Sequence, residues 1–167
     1  MKSLITYLSI LGLVGMIITM EALAADTATV TATVTVQNIS VSVSDGEVSY
    51  GTLAVNTSQD TTSGNLDDSQ TATNDGNVTE NFNIKGQDSA AWTLASSAGA
   101  DQYVHEFCTS NCDTSPTWTA LTTDYQTLAT GIEASGTQVF DLKITTPTST
   151  SSYDEQSVDV TVQAVAG

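Results

Sequence analysis

The sequence predicts an all-β protein, an antiparallel β-sandwich of about nine short strands behind an N-terminal leader. Three observations carry that prediction. Apolar and polar residues alternate with period two through most of the chain, and no segment carries a helical stripe. The stretches between alternating runs are polar and rich in Asn, Asp, Gly and Ser, the residues of turns. Thr and Val recur within the runs, and β-branched side chains suit a pleated, half-buried surface.

The leader comes first. Lys2 is followed by an apolar run from Leu4 to Met20, and Ala22-Leu23-Ala24 places small residues where a signal peptidase reads them. An uncleaved membrane anchor is the competing reading, since the run is nearly long enough to span a bilayer, but no basic cluster stops transfer. Residues 1–24 are therefore expected to be a signal peptide and residues 25–167 a single domain, secreted to the cell surface or beyond it. After cleavage nothing in the chain is apolar enough to hold a membrane.

From Ala28 to Val36 every even position is Ala or Val and every odd position is Thr. This predicts a two-faced strand over residues 27–36, with Val30, Val34 and Val36 on its apolar face. After Gln37-Asn38 the phase switches to Ile39, Val41 and Val43, which requires a bulge or a turn. Asp45-Gly46 marks a hairpin into "EVSYGTL". Residues 56–75 hold few apolar anchors and read largely as loop, with a short strand in "QTATNDGN" ending at Gly76. "VTENFNI" should bury Val78, Phe82 and Ile84, and "AAWTLA" should bury Trp92 and Leu94. "QYVHEFC" points Tyr103, His105 and Phe107 to one side. "TWTAL" follows, and "DYQTLATGI" reads as a strand or one helical turn. "GTQVFDLKIT" is the clearest core strand, with Phe140, Leu142 and Ile144 inside and Asp141 and Lys143 outside, ended by Pro147. "SSYDEQ" makes a crossing, and "SVDVTVQAVA" closes the chain with Val158, Val160 and Val162 inward.

"TATNDGNVTENFNI" resembles the turn and following strand of prokaryotic immunoglobulin-like surface modules. "GIEASGTQVFDLKITTP" through "SYDEQSVDVTVQAVA" is similar to their last hairpin. A leader followed by one acidic domain also resembles biofilm matrix fibre subunits of the TasA type and related archaeal pilus subunits. The resemblance implies an immunoglobulin-like or jelly-roll-like sandwich and a filament-forming role. It departs from antibody domains, because no cysteine pair is spaced to span two sheets around a core Trp.

Charge and composition narrow the chemistry. The net charge is −16, with no Arg, and Lys85 and Lys143 are the only cations after residue 24. Nucleic acid and anionic lipid depend on Lys and Arg contacts, so neither is an expected partner. Cys108 and Cys112, the only cysteines, are expected to form a local disulfide, because an exported chain favours oxidation and a zinc site would lack ligands. His105 is the only histidine. His105-Glu106 is not continued to a second His, so no zinc-protease motif exists, and no nucleophile elbow is present. Asp67-Asp68 and Asp154-Glu155 are loop acids without a predicted cleft between them, as a glycosidase would need. The chain reads as a non-enzyme.

Calcium is the one cofactor the loops raise. Asn65, Asp67, Asp68, Asn74, Asp75 and Asn77 collect oxygen ligands of the kind Ca²⁺ takes, without a regular calcium-loop spacing; ordinary solvated turns explain the same residues. Asn38, Asn56 and Asn77 each head an N-x-S/T sequon. Trp92, Trp118, Tyr103 and Tyr125 are candidates for a glycan platform or for the core. Two functions follow as expectations. The first is a structural subunit that self-associates into a filament or layer, with strand 27–36 either donated to a neighbour or paired at home. The alternative is a secreted glycan- or calcium-binding adhesion module.

Overall fold

The computed structural model describes residues 26–167, so the leader lies outside the described residues. The chain divides after Val34 into two units. In the first, residues 26–34 belong to no strand, and Val30 and Val34 stand 93% and 90% exposed. The strand predicted over 27–36 therefore takes part in no ladder among the described residues. Its sequence alternates, but alternation specifies a strand only where a second strand supplies hydrogen bonds and a core receives one face.

The second unit, from Thr35 onward, is all-β, with ten strands in two sheets and no helix among the described residues. They are β1 (Val41–Val43), β2 (Ser58–Asp60), β3 (Gln70–Asn74), β4 (Glu80–Lys85), β5 (Thr93–Leu94), β6 (Gln102–Cys108), β7 (Thr119–Ala120), β8 (Gln126–Ile132), β9 (Thr137–Thr145) and β10 (Thr161–Ala166). The larger sheet runs β1-β3-β9-β6-β5, with β2 added on β9 and β7 on β6. It is mixed rather than wholly antiparallel, because β5 pairs parallel to β6. The smaller sheet runs β10-β4-β8 and is antiparallel. The result is a sandwich-like all-β fold.

β9 organises the larger sheet. One edge pairs with β6 from Cys108↔Asp141 to Val104↔Thr145. The other edge is shared: β3 takes its first half through Gln70↔Phe140, and β2 its second through Ser58↔Thr145. Between β2 and β3 the chain loops out over residues 61–69. Ala72, Phe107, Phe140 and Leu142 of the larger sheet meet Phe82, Ile84 and Leu128 of the smaller, with Leu121, to form the buried core. Fully burying each of these Leu, Ile and Phe side chains contributes about 1.5–3 kcal/mol.

Several elements differ from the sequence reading. Asp45 and Gly46 do form a turn, both at positive φ (44° and 70°), but no hairpin follows. β1 pairs with β3 instead, and residues 47–53 run without a ladder, with Val48 and Tyr50 packed against the core. β2 lies inside the segment read largely as loop, since Ser58 and Gln59 gain strand hydrogen bonds from β9 that their composition does not signal. β9 and β10 are not hairpin partners; they lie in different sheets, so residues 146–160 cross from one to the other. β10 begins only at Thr161, leaving Val158 and Val160 half-buried ahead of it. Residues 126–132 are a strand, not a helical turn.

Candidate functional site

Where the chain enters the folded unit, a turn between β3 and β4 clamps it. Asn77 grips both sides of that entry: its Oδ1 accepts from the Asn38 N–H (2.8 Å) and its Nδ2 donates to the Val36 carbonyl (2.9 Å). The Asn77 N–H donates to the Asn38 carbonyl (3.1 Å), and the Asp75 N–H to that of Ser40 (2.8 Å). Asn74, fully buried, fixes the turn from inside, with Oδ1 accepting from the Gly76 N–H and Nδ2 donating to the Val78 and Ile132 carbonyls, each at 2.8 Å. Glu80 completes the clamp. It is fully buried, and its Oε1 accepts from the Ser40 N–H at 2.9 Å. The sequence reading passed over Glu80, although the alternation of Val78, Phe82 and Ile84 puts position 80 on the same inward face. That alternation was the signal that could have found it.

The six residues singled out for calcium separate into two places. Asn74, Asp75 and Asn77 sit together in this clamp. Asp67 and Asp68 lie before the start of β3, in the loop that precedes Gln70. There Asp68 accepts from Gln70 Nε2 at 3.1 Å, and burial and then the Asp45 carboxylate hold its carboxyl above the usual range. Asn65 Nδ2 donates to Asp60 Oδ1 at 2.7 Å within that same loop. Among the described residues no three His, Cys, Asp or Glu side chains converge.

His105 lies deep in the fold, 3% exposed. Its Nε2 is 3.0 Å from the Tyr50 hydroxyl, and its Nδ1 has no partner among the described residues. Tyr103 packs beside it with ring centroids 6.3 Å apart, and Trp92 packs on Tyr103 at 6.2 Å. Burial pushes the imidazole down to about 4, so it is neutral at ordinary pH. The same burial raises the Tyr50 and Tyr103 hydroxyls. This is a core cluster, and its imidazole cannot reach a substrate at the surface.

The four aromatics considered for glycan do not share a face. Tyr103 is in the core, donating to the Gln87 carbonyl, and Trp92 Nε1 donates to Thr150 Oγ1 at 2.8 Å. Trp118 lies under Lys143, itself paired to Glu106 at 2.6 Å. Tyr125 lies under Lys85.

Cys108 and Cys112 are joined, as their spacing predicts. Beside the clip a cleft of about 370 Å³ is lined by Ser69, Thr109, Asn111, Asp113 and Asp141 among others. Asp141 was placed outside, and it does leave the core face, yet it is 4% exposed because the 61–69 loop covers it. Thr61 and Ser69 hydroxyls donate to its Oδ1 at 2.8 and 2.7 Å. The Ser63 N–H donates to Asp113 at 2.7 Å, tying that loop to the clip and holding the Asp113 carboxyl below its usual range.

Compared with known proteins, the chain matches no family, no curated sequence and no solved structure.

Proposed function

We propose that this chain is a non-enzymatic structural protein of the cell surface or extracellular matrix, a subunit of a filament or layer that assembles by donating residues 27–36 to a neighbouring copy. One observation carries the reading. A segment with strand-like alternation has no ladder, and its three valines, Val30, Val34 and Val36, are 81% exposed or more. Solvated valines on one face of an extended segment gain both burial and main-chain hydrogen bonds when a sheet edge receives them. At strand rise the segment reaches about 33 Å, enough to run the length of a sheet. The smaller sheet offers edges for it, since β8 and β10 each ladder only to β4. Repeated head to tail, such a contact does not close on itself and yields a filament.

The immunoglobulin-like or jelly-roll-like character of the fold, and the kinship with TasA-type fibre subunits and archaeal pilus subunits, belong to this same proposal. The buried, neutral His105 supports the non-enzymatic part. A secreted location rests on the leader and the disulfide. The adhesion-module reading has one observation in its favour, the polar cleft beside the clip.

Deletion of residues 25–36 tests the proposal, with negative-stain microscopy as the readout. The truncated protein should stay folded and fail to polymerise, and a synthetic peptide of the deleted sequence should bind it. Native fibres from the truncated protein refute strand donation. A glycan array probed with the full mature chain separates the adhesion module from the filament subunit.

A further inference from the structure

Glu80 presents an electrostatic problem that the described residues do not solve. Its carboxylate is fully buried, in phase with Phe82 and Ile84 on the inward face of β4. Oε1 accepts from Ser40, but Oε2 has no hydrogen-bond partner among the described residues. An unpaired carboxylate is costly to bury unless an opposite charge or donors offset the lost hydration. Neither lysine of the folded unit supplies that charge: Lys143 pairs with Glu106, and Lys85 stands over the Tyr125 ring at the far end of β4.

Other oxygens gather on the Oε1 side of the same carboxylate, around Gly76. Gly76 packs so closely that a Cβ there would collide with Glu80 Oε1, and would lie 2.5 Å from the Asn38 carbonyl oxygen and 3.1 Å from Asn74 Oδ1. A carboxylate, a main-chain carbonyl and an amide oxygen therefore surround one turn of chain at Gly76. Asn38 O and Asn74 Oδ1 each accept one hydrogen bond, from Asn77 and Gly76, and each carbonyl oxygen keeps a second lone pair. Hard oxygens of mixed kind beside a carboxyl oxygen that lacks a partner are the ligands that calcium takes, and a chain of net charge −16 draws cations to its surface.

We propose that a calcium ion binds at the β3–β4 turn, with the Glu80 carboxylate as its buried anionic ligand and Asn74 Oδ1 and the Asn38 carbonyl supplying further oxygens. The ion would join β4 to residues 38–40, the stretch through which the N-terminal segment enters the fold. The site does not depend on the filament reading, and its test does not use polymerisation.

The mature protein, stripped with chelator, is titrated with calcium chloride by calorimetry and melted in millimolar calcium or in sodium chloride of matched ionic strength. The expected result is one saturable site, with a dissociation constant of about 10⁻⁴ to 10⁻³ M as in extracellular modules, and a higher Tm in calcium than in sodium. Glu80→Gln, which keeps an acceptor for Ser40, should weaken binding at least tenfold, while the double change Asp67→Asn and Asp68→Asn should leave it unaltered. Equal Tm shifts from calcium and sodium, or undiminished binding in Glu80→Gln, overturn the proposal. Amide NMR of the unaltered chain tests it without any substitution: calcium should shift Ser40, Gly76 and Asn77 first. Shifts confined to residues 62–68 place the ion in the other loop and overturn the assignment.

Discussion

Replacing His105 with Gln should flatten the dependence of stability on pH between 7.5 and 5. In the folded protein burial holds the imidazole down at about 4, whereas an unfolded chain carries it near the ordinary 6.5. At pH 7.5 both states are neutral there, and the group contributes no pH dependence. Between 6.5 and 4 the unfolded chain binds a proton that the folded one refuses, so stability falls as the pH falls through that window. At pH 5 the protonated form is about thirty times the neutral one in the unfolded chain but only about a tenth of it in the folded, which corresponds to a loss of about 2 kcal/mol. Below pH 4 the loss reaches its full extent of roughly 3 kcal/mol, from 1.36 kcal/mol per pH unit. The assay is urea unfolding of both proteins at the two pH values. Carboxylates titrate in both, so the difference between the two differences isolates His105. Gln can still meet the Tyr50 hydroxyl, which limits the structural cost of the change. An equal loss of stability in both proteins refutes the reasoning, and so does a His105 NMR titration centred near 6.5 in the native state.

Three further outcomes are expected. Changing Cys108 and Cys112 together to Ser should cost no more than about 2 kcal/mol, because the closed loop is so short; labelling of native protein should find no free thiol at either position. Gly76→Ala should destabilise by about 1–3 kcal/mol in urea unfolding, since the added methyl meets the Asn38 carbonyl and the Glu80 carboxylate; wild-type stability would refute that close approach. Asp141→Ala should cost about 1–3 kcal/mol by stranding the buried Thr61 hydroxyl and releasing Ser69, and limited proteolysis should then cut within residues 61–69.

The alternation of the chain was enough to place most strands and most of the core. Phe82, Ile84, Tyr103, Phe107, Phe140 and Leu142 are buried where period two puts them, because a strand exposes one face to solvent and one to the core whatever its neighbours are. The disulfide was equally legible, since three intervening residues leave the two sulfurs within reach of each other. Alternation by itself also suggested strands at residues 27–36 and 47–53 and the start of one at 157, where no ladder forms. A strand needs a partner edge, and partner edges are supplied by residues far away in sequence.

Pairing is where the tertiary structure decided. Nothing in "SQD" marks β2; it is a strand because the second half of β9 was left free on that side. β9 and β10 follow one another in sequence and look like a hairpin, yet core packing sends them to opposite sheets. The charged groups follow the same rule. Asp141 obeys its predicted face and is buried all the same, because a loop from eighty residues earlier folds over it. Glu80 sits at an inward position that the sequence did disclose, but only the fold brings Ser40, Gly76, Asn74 and the Asn38 carbonyl around it. Sequence determined which side each side chain takes along its own strand, a local matter of backbone geometry. Which strands meet, and what covers their polar faces, depended on contacts between segments that only the folded chain brings together.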